Sequence, residues 1–207
     1  MKIIEHRGAC DLVAAIITED TTETYSTGEY FPLAGLQSVA KTTESESATK
    51  YYDNVPAIII ESVGADTVTL IISVPDLATY AKVLGMSFDE STGVLIEGGE
   101  TKAPYLAIGY KTGLVGAKAG QRYVSRLKGK FSIPEEEVKT ADNGTDSSNM
   151  QLVYTGINTT HRFSKTGNSA KAVVVDNFGD PDEKIDFDKY FTKVTTPDNI
   201  PVKQEVE

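Results

Sequence analysis

Apolar and polar positions alternate with a period of two over most of this chain, which predicts half-buried strands in preference to helices. Residues 10–18 form a mostly apolar run that predicts a buried strand. Residues 56–61 and 66–73 predict two more, both rich in β-branched side chains. Residues 105–114, 121–133, 150–155 and 170–176 complete a set of seven or eight strands, and Asn143-Gly144 is a tight-turn signal among them. One segment changes period. Leu77, Tyr80, Ala81 and Leu84 recur at helical spacing, Ser73-Val74-Pro75-Asp76 has the form of a capping box ahead of them, and Gly85 follows as a C-terminal cap.

The pattern therefore predicts a mainly β fold, a β-sandwich or barrel-like arrangement with one flanking α-helix over about residues 74–84. The last thirty residues differ in texture. Residues 182–194 could form a short helix, but Pro181, Pro197, Pro201 and a polar ending predict a C-terminal arm. The expected organisation is a β-sandwich domain over 1–176 and an arm or extension over 177–207, with no internal repeat.

The chain has 207 residues, enough to bury a core without a disulfide or metal staple. With a single cysteine, Cys10, no intramolecular disulfide is possible, and a reducing compartment is the simpler expectation. No stretch approaches the roughly 20 apolar residues of a membrane span, and charges at Lys2, Glu5 and Arg7 interrupt the place of a signal peptide. Synthesis and folding in a cytoplasm, without a membrane partner, are expected.

Charge separates along the sequence. Residues 1–100 carry a net charge of -11, residues 101–134 carry +7 with no acid at all, and residues 135–207 carry -6, for a total of -10. A subunit with one acidic and one basic surface favours head-to-tail association with copies of itself. The acidic balance argues against tight binding of nucleic acid.

Catalytic and cofactor chemistry finds little support. Histidine occurs only at His6 and His161, and one cysteine cannot complete a zinc cluster. Cys10, inside an apolar run, is expected to be buried and inert. The runs at 142–146 and 180–183 lack the glycine and terminal glutamate of a calcium loop at the right offsets and suit turns and caps. Gly109, Gly113, Gly116 and Gly120 fit neither phosphate-binding fingerprint and suggest a flexible loop between strands. There is no Gly-x-Ser-x-Gly elbow, and no pair among the thirty acids is singled out for glycoside hydrolysis. The sequons at Asn143 and Asn158 have no secretory signal to give them meaning. No enzyme activity, cofactor or metal is expected.

Two polar stripes stand out instead. On a regular strand over 121–133, Arg122, Val124, Arg126, Lys128 and Lys130 share one face, while Tyr123, Leu127, Phe131 and Ile133 share the other. Four bases on one face need acidic surface opposite or open solvent. They are candidate inter-subunit residues, with a solvated outer face as the plain alternative. The second stripe has Thr42, Glu44 and Glu46 alternating with Thr43, Ser45 and Ser47. It has no core-forming face, so residues 42–52, ending in Tyr51 and Tyr52, are expected to project into solvent or onto a partner as a loop or hairpin arm.

The same segments carry a likeness to a known family. Pro104-Tyr105-Leu106-Ala107-Ile108-Gly109-Tyr110, then Arg122-Tyr123-Val124, then Lys128-Gly129-Lys130-Phe131-Ser132-Ile133-Pro134 with Glu136 and Thr140, resemble the major tail proteins of long, flexible-tailed bacteriophages of Gram-positive bacteria. Leu33-Ala34-Gly35, Tyr51-Tyr52-Asp53-Asn54, and Leu84-Gly85 with Asp89 and Gly93-Val94 follow the same pattern in the same order. The resemblance runs through most of residues 10–160. It implies a tail-tube subunit that assembles as hexameric rings stacked into a hollow tube, in a virion built in the bacterial host cytoplasm. In such a tube the arm with Thr42, Tyr51 and Tyr52 is expected to order between rings, and Glu44 and Glu46 are also candidates for the lining of the bore, where acids would keep DNA sliding. Its implied partners are copies of itself, a tape measure protein, and tail terminator and distal tail proteins, with DNA passing through unbound. It supplies no catalytic residues. The alternative class is a monomeric β-sandwich binding module that recognises an acidic ligand through its basic strand face.

Overall fold

Alternating β-branched and aromatic side chains draw the chain into long antiparallel strands, and the computed structural model describes them over residues 3–98, 101–136, 138, 149–180 and 184–203. In chain order these are β1 (Ile4–Asp20), β2 (Tyr25–Thr27), β3 (Phe31–Ala34), β4 (Leu36–Tyr52), β5 (Val55–Ile72), α1 (Leu77–Leu84), β6 (Ser87–Asp89), β7 (Val94–Ile96), β8 (Leu106–Gly116), β9 (Gly120–Phe131), β10 (Met150–Gly156) and β11 (Ala172–Asn177). A 3₁₀ turn follows at Phe187–Lys189. Nine strands join in one sheet of order β2-β1-β8-β9-β10-β5-β4, with β3 added to β1 and β11 to β9, while β6 and β7 form a separate ribbon. The fold is mainly β with one helix, as the periodicity predicts.

The sheet buries both faces. On one side Leu12, Val68, Leu70, Ile72, Leu106, Ile108, Leu152 and Tyr154 meet Tyr80, Val83 and Leu84 of α1 to form the main core. The Tyr154 hydroxyl, wholly buried, donates to the carbonyl of Leu106 at 2.8 Å, so its burial leaves no orphaned donor. On the other side Ala15, Ala107 and Leu127 are covered by Phe163 and Val194. Part of the segment expected as a C-terminal arm or extension belongs to this second layer. Tyr190 is fully buried and Val194 nearly so. Tyr123 packs against Phe187 and Tyr190 with ring centroids 4.9 and 5.2 Å apart. The chain around Pro197 and Pro201 is irregular, and the aromatic residues of this cover supply the burial.

The helix also starts later than expected. Asp76 is its N-cap, accepting hydrogen bonds at 2.8 Å from both the backbone N–H and the hydroxyl of Thr79. Ser73 does not cap. Its hydroxyl accepts from the Gly35 N–H at 3.0 Å and its own N–H donates to the Gly35 carbonyl, which ties the end of β5 to the start of β4. Pro75 then keeps Val74 out of the helical region. Leu77 is exposed and Val83 takes its expected place in the core. Gly85 ends the helix at φ 70°, where a Cβ would lie 2.0 Å from the Lys102 carbonyl oxygen.

Two further expectations change. Cys10 is exposed because β1 is irregular there, with its pairing to β8 shifting between His6 and Ala9 and again between Cys10 and Val13. Gly109, Gly113 and Gly116 lie within β8 and Gly120 begins β9, so they are not a loop. At Gly113 the backbone of Arg7 passes so near that a Cβ would be 2.2 Å from its carbonyl oxygen. Thr140, the turn at Asn143-Gly144, the acidic run at 142–146, Pro181, Asp182 and residues 204–207 lie outside the described residues.

Candidate functional site

Strands in globular proteins usually run about 3–10 residues, whereas β4 has 17 and β5 has 18. Their inner parts belong to the sheet: Val68, Leu70 and Ile72 are fully buried. Their outer parts, over 43–52 and 55–63, continue as a two-stranded hairpin that pairs from Ser45↔Val63 to Tyr52↔Val55. At about 3.3 Å per residue this arm reaches roughly 30 Å beyond the core. The turn is Asp53-Asn54, both left-handed at φ 53° and 63°, the geometry that a two-residue hairpin requires.

The predicted strands at 56–61 and 66–73 are thus one strand, and its first half is not buried. Tyr51, Tyr52, Val55, Ile58, Ile59, Ile60 and Val63 are 49–66% exposed. Among the described residues only β4 pairs with this part of β5, and residues 55–63 are all exposed. The pairing sorts the arm into two faces. Glu46 lies opposite Ser62, Ala48 opposite Ile60, and Lys50 opposite Ile58. Gly64 approaches the Glu44 side chain, which puts Glu44 on that same face. Ser45, Ser47 and Thr49 lie on the other face with Val63, Glu61 and Ile59. Thr42, Glu44 and Glu46 are all exposed, and Thr42 pairs with Thr67 near the root.

The root is held by charge. The register shifts between Thr43 and Ser45, and next to this irregularity Asp66 accepts from the Thr43 hydroxyl at 2.9 Å and from Arg126 Nη1 at 2.9 Å. Lys171 approaches the same carboxylate at 3.4 Å and also donates to the carbonyl of Gly64. Arg126 Nε bonds the Tyr110 hydroxyl at 3.3 Å. Burial alone would raise the Asp66 carboxyl, but the Thr43 hydrogen bond and the charges of Lys171, Lys41 and Arg126 outweigh it and hold the group below the usual carboxylate range.

The four bases expected to form one stripe divide between two faces. Leu106 lies opposite Gly129 while Ile108 lies opposite Arg126, so β9 carries one extra residue between them. Arg122 and Arg126 stay on the side of Tyr110 and Asp66. Past the bulge the alternation flips, which puts Phe131 into the main core apart from Leu127. Lys128 and Lys130 then sit over the ring of Tyr105, at 5.0 and 4.4 Å. Among the described residues, three of the four have carboxylate partners within the chain. Arg122 grips Asp176 through two bonds of 2.6 and 2.8 Å, Arg126 holds Asp66, and Lys128 meets Asp20 at 2.5 Å. Ile133, expected opposite them, is exposed.

Beside the arm's root lies an open cleft of about 590 Å³. Val39, Val124 and Val174 supply apolar wall, and His6, Lys41 and Arg122 supply basic groups. His6 Nδ1 bonds the Thr112 hydroxyl at 3.1 Å, and its Nε2 faces Arg122 Nη1 at 3.4 Å. A smaller cleft of about 290 Å³ on the opposite layer includes His161, whose Nδ1 is buried with no partner among the described residues. No group of three or more His, Cys, Asp or Glu among the described residues could hold a metal ion, and no helix is long and apolar enough to cross a membrane.

The periodicity points to a projecting segment, but it misses the partner strand, the turn and the clamp. Asp53-Asn54 between two strand-forming runs was the available signal for the turn. The clamp had none, because Asp66, Arg126 and Lys171 come from distant segments. No protein-family model matches this chain, and no curated protein matches it.

Proposed function

We propose that the chain is a structural tail-tube subunit of a bacteriophage, which associates head to tail into stacked hexameric rings around a bore that conducts DNA. The observation that carries this reading is the arm, a long hairpin whose apolar side chains serve no purpose in an isolated subunit. Burying each such side chain is worth about 1.5–3 kcal/mol, so a handful offsets the roughly 4–15 kcal/mol that association costs. A strand-rich acidic subunit without an evident catalytic constellation suits a passive conduit. The net charge of -10, repeated around every ring, favours a bore that repels the DNA backbone.

The resemblance to major tail proteins supports the same reading and supplies the ring number, the tape measure protein and the terminator and distal tail partners. A binding module using a basic strand face is less well served, because the bulge in β9 divides its four bases between two faces and Arg126 and Lys128 are largely buried against carboxylates of their own chain. Electron microscopy of the purified protein at rising concentration tests the proposal. Rings or tubes are expected. A chain that stays monomeric at millimolar concentration overturns it.

A further inference from the structure

We infer that the cleft beside the arm's root receives the arm of a second copy, with the glutamate-bearing face of that arm turned inward. This rests on the self-association reading above and identifies its contact. The arm face carrying Glu44 and Glu46 also carries Ala48, Ile58 and Ile60, with Lys50 beside Ile58, so acid lies nearest the root and apolar surface with a single lysine nearest the tip. The cleft offers the complement: Val39, Val124 and Val174 as apolar wall, with Lys41, Arg122 and His6 as bases. Val174 is 52% exposed, so apolar wall is open to an incoming partner.

The basic groups have capacity left. Among the described residues the Lys41 ammonium bonds the Thr43 hydroxyl at 2.7 Å and belongs to no ion pair. Arg122 spends Nε and Nη2 on Asp176 and turns Nη1 toward His6. Arg126 is committed to Asp66 and forms the floor. An incoming carboxylate therefore meets cationic groups at the rim, where electrostatic complementarity sets register.

A chain cannot fill its own cleft. Val39 and Lys41 lie on β4 itself, and the strand runs on from them to Tyr52, so the tip stands roughly 30 Å away unless the hairpin pairs break. The occupant is then a second copy, and the contact is heterologous: each subunit offers an arm and a cleft, so the association closes into a ring or continues as a filament. Glu44 and Glu46 become contact residues, and the lining of a bore falls to other acids.

Two experiments test this. In a Cys10→Ser background, Ile58→Cys and Val174→Cys are made in separate chains, mixed and oxidised. A cross-linked dimer from the mixture, and little from either chain alone, is expected. Separately, Lys41→Glu and Glu46→Lys should each raise the concentration needed for assembly by about tenfold, with the pair together restoring it. If rings or tubes form without the cross-link and the reversals have no effect, the cleft is not the receptor, although self-association stands. If no association occurs at any concentration, the self-association reading fails and this inference fails with it.

Discussion

Arg126 and Asp66 stand 60 residues apart and meet at 2.9 Å, with side chains only 7 and 8% exposed. One belongs to the central strand β9, the other to the point where β5 leaves the sheet to become the arm. The pair sets the arm's direction relative to the core, because Thr43 of the opposing strand and Lys171 bind the same carboxylate.

Removing one partner should therefore be costly. Asp66→Asn leaves Arg126 buried beside a neutral group and should destabilise the subunit by about 3 kcal/mol or more. Combining it with Arg126→Met should recover much of the loss, since an apolar side chain tolerates the site. Urea denaturation of the single and double variants measures both.

Stability should fall in acid. Burial works against the charged forms of Asp20 and Asp66 but is outweighed, at Asp20 by Lys128 and the backbone of Thr160 and His161 and at Asp66 by the groups named above; at Asp176 the Arg122 hydrogen bonds lead. All three are held below the ordinary carboxylate range. The unfolded chain takes up their protons first, at pH about 3.9. The stabilisation is thus complete above that pH and is lost as pH falls toward the lower folded values. Urea midpoints at pH 7, 5 and 3 should drop mainly between the last two, and Asp20→Asn should flatten part of that drop.

The helix cap separates two neighbouring candidates. Asp76→Ala should lower the melting temperature, while Asp76→Asn, which keeps an acceptor, should change it little. A loss confined to Ser73→Ala, with Asp76→Ala neutral, would contradict the capping geometry. Thermal melts of the three variants give the comparison.

Trimming the arm should separate folding from assembly. Glu46 and Ser62 are directly paired, so removing residues 46–62 and joining Ser45 to Val63 through Asn-Gly preserves the hairpin register. The melting temperature should hold and the shortened chain should remain monomeric where the full chain assembles. Tubes formed by the shortened chain would show that the arm is dispensable.

The strand content, the helix and its Gly85 cap were legible in the sequence, because period, capping chemistry and turn residues act over a few neighbours. The same local logic marked residues 42–52 as lacking a core face. Residues 56–61 misled it. A run of isoleucines reads as core wherever it stands, and only the pairing partners show that Ile58, Ile59 and Ile60 lie beyond the last covered layer. The stripe from Arg122 to Lys130 failed for a related reason. Alternation assigns faces only along a regular strand, and the bulge in β9 becomes visible only against its neighbour β8. The cover formed by Tyr190 and Val194 was likewise hidden, since proline-rich irregular chain gives no periodic sign of what it packs upon. Local propensity determined which segments extend or coil. Which extended surfaces are buried, and which carboxylate each base holds, was decided by contacts between distant segments that no window of neighbouring residues contains.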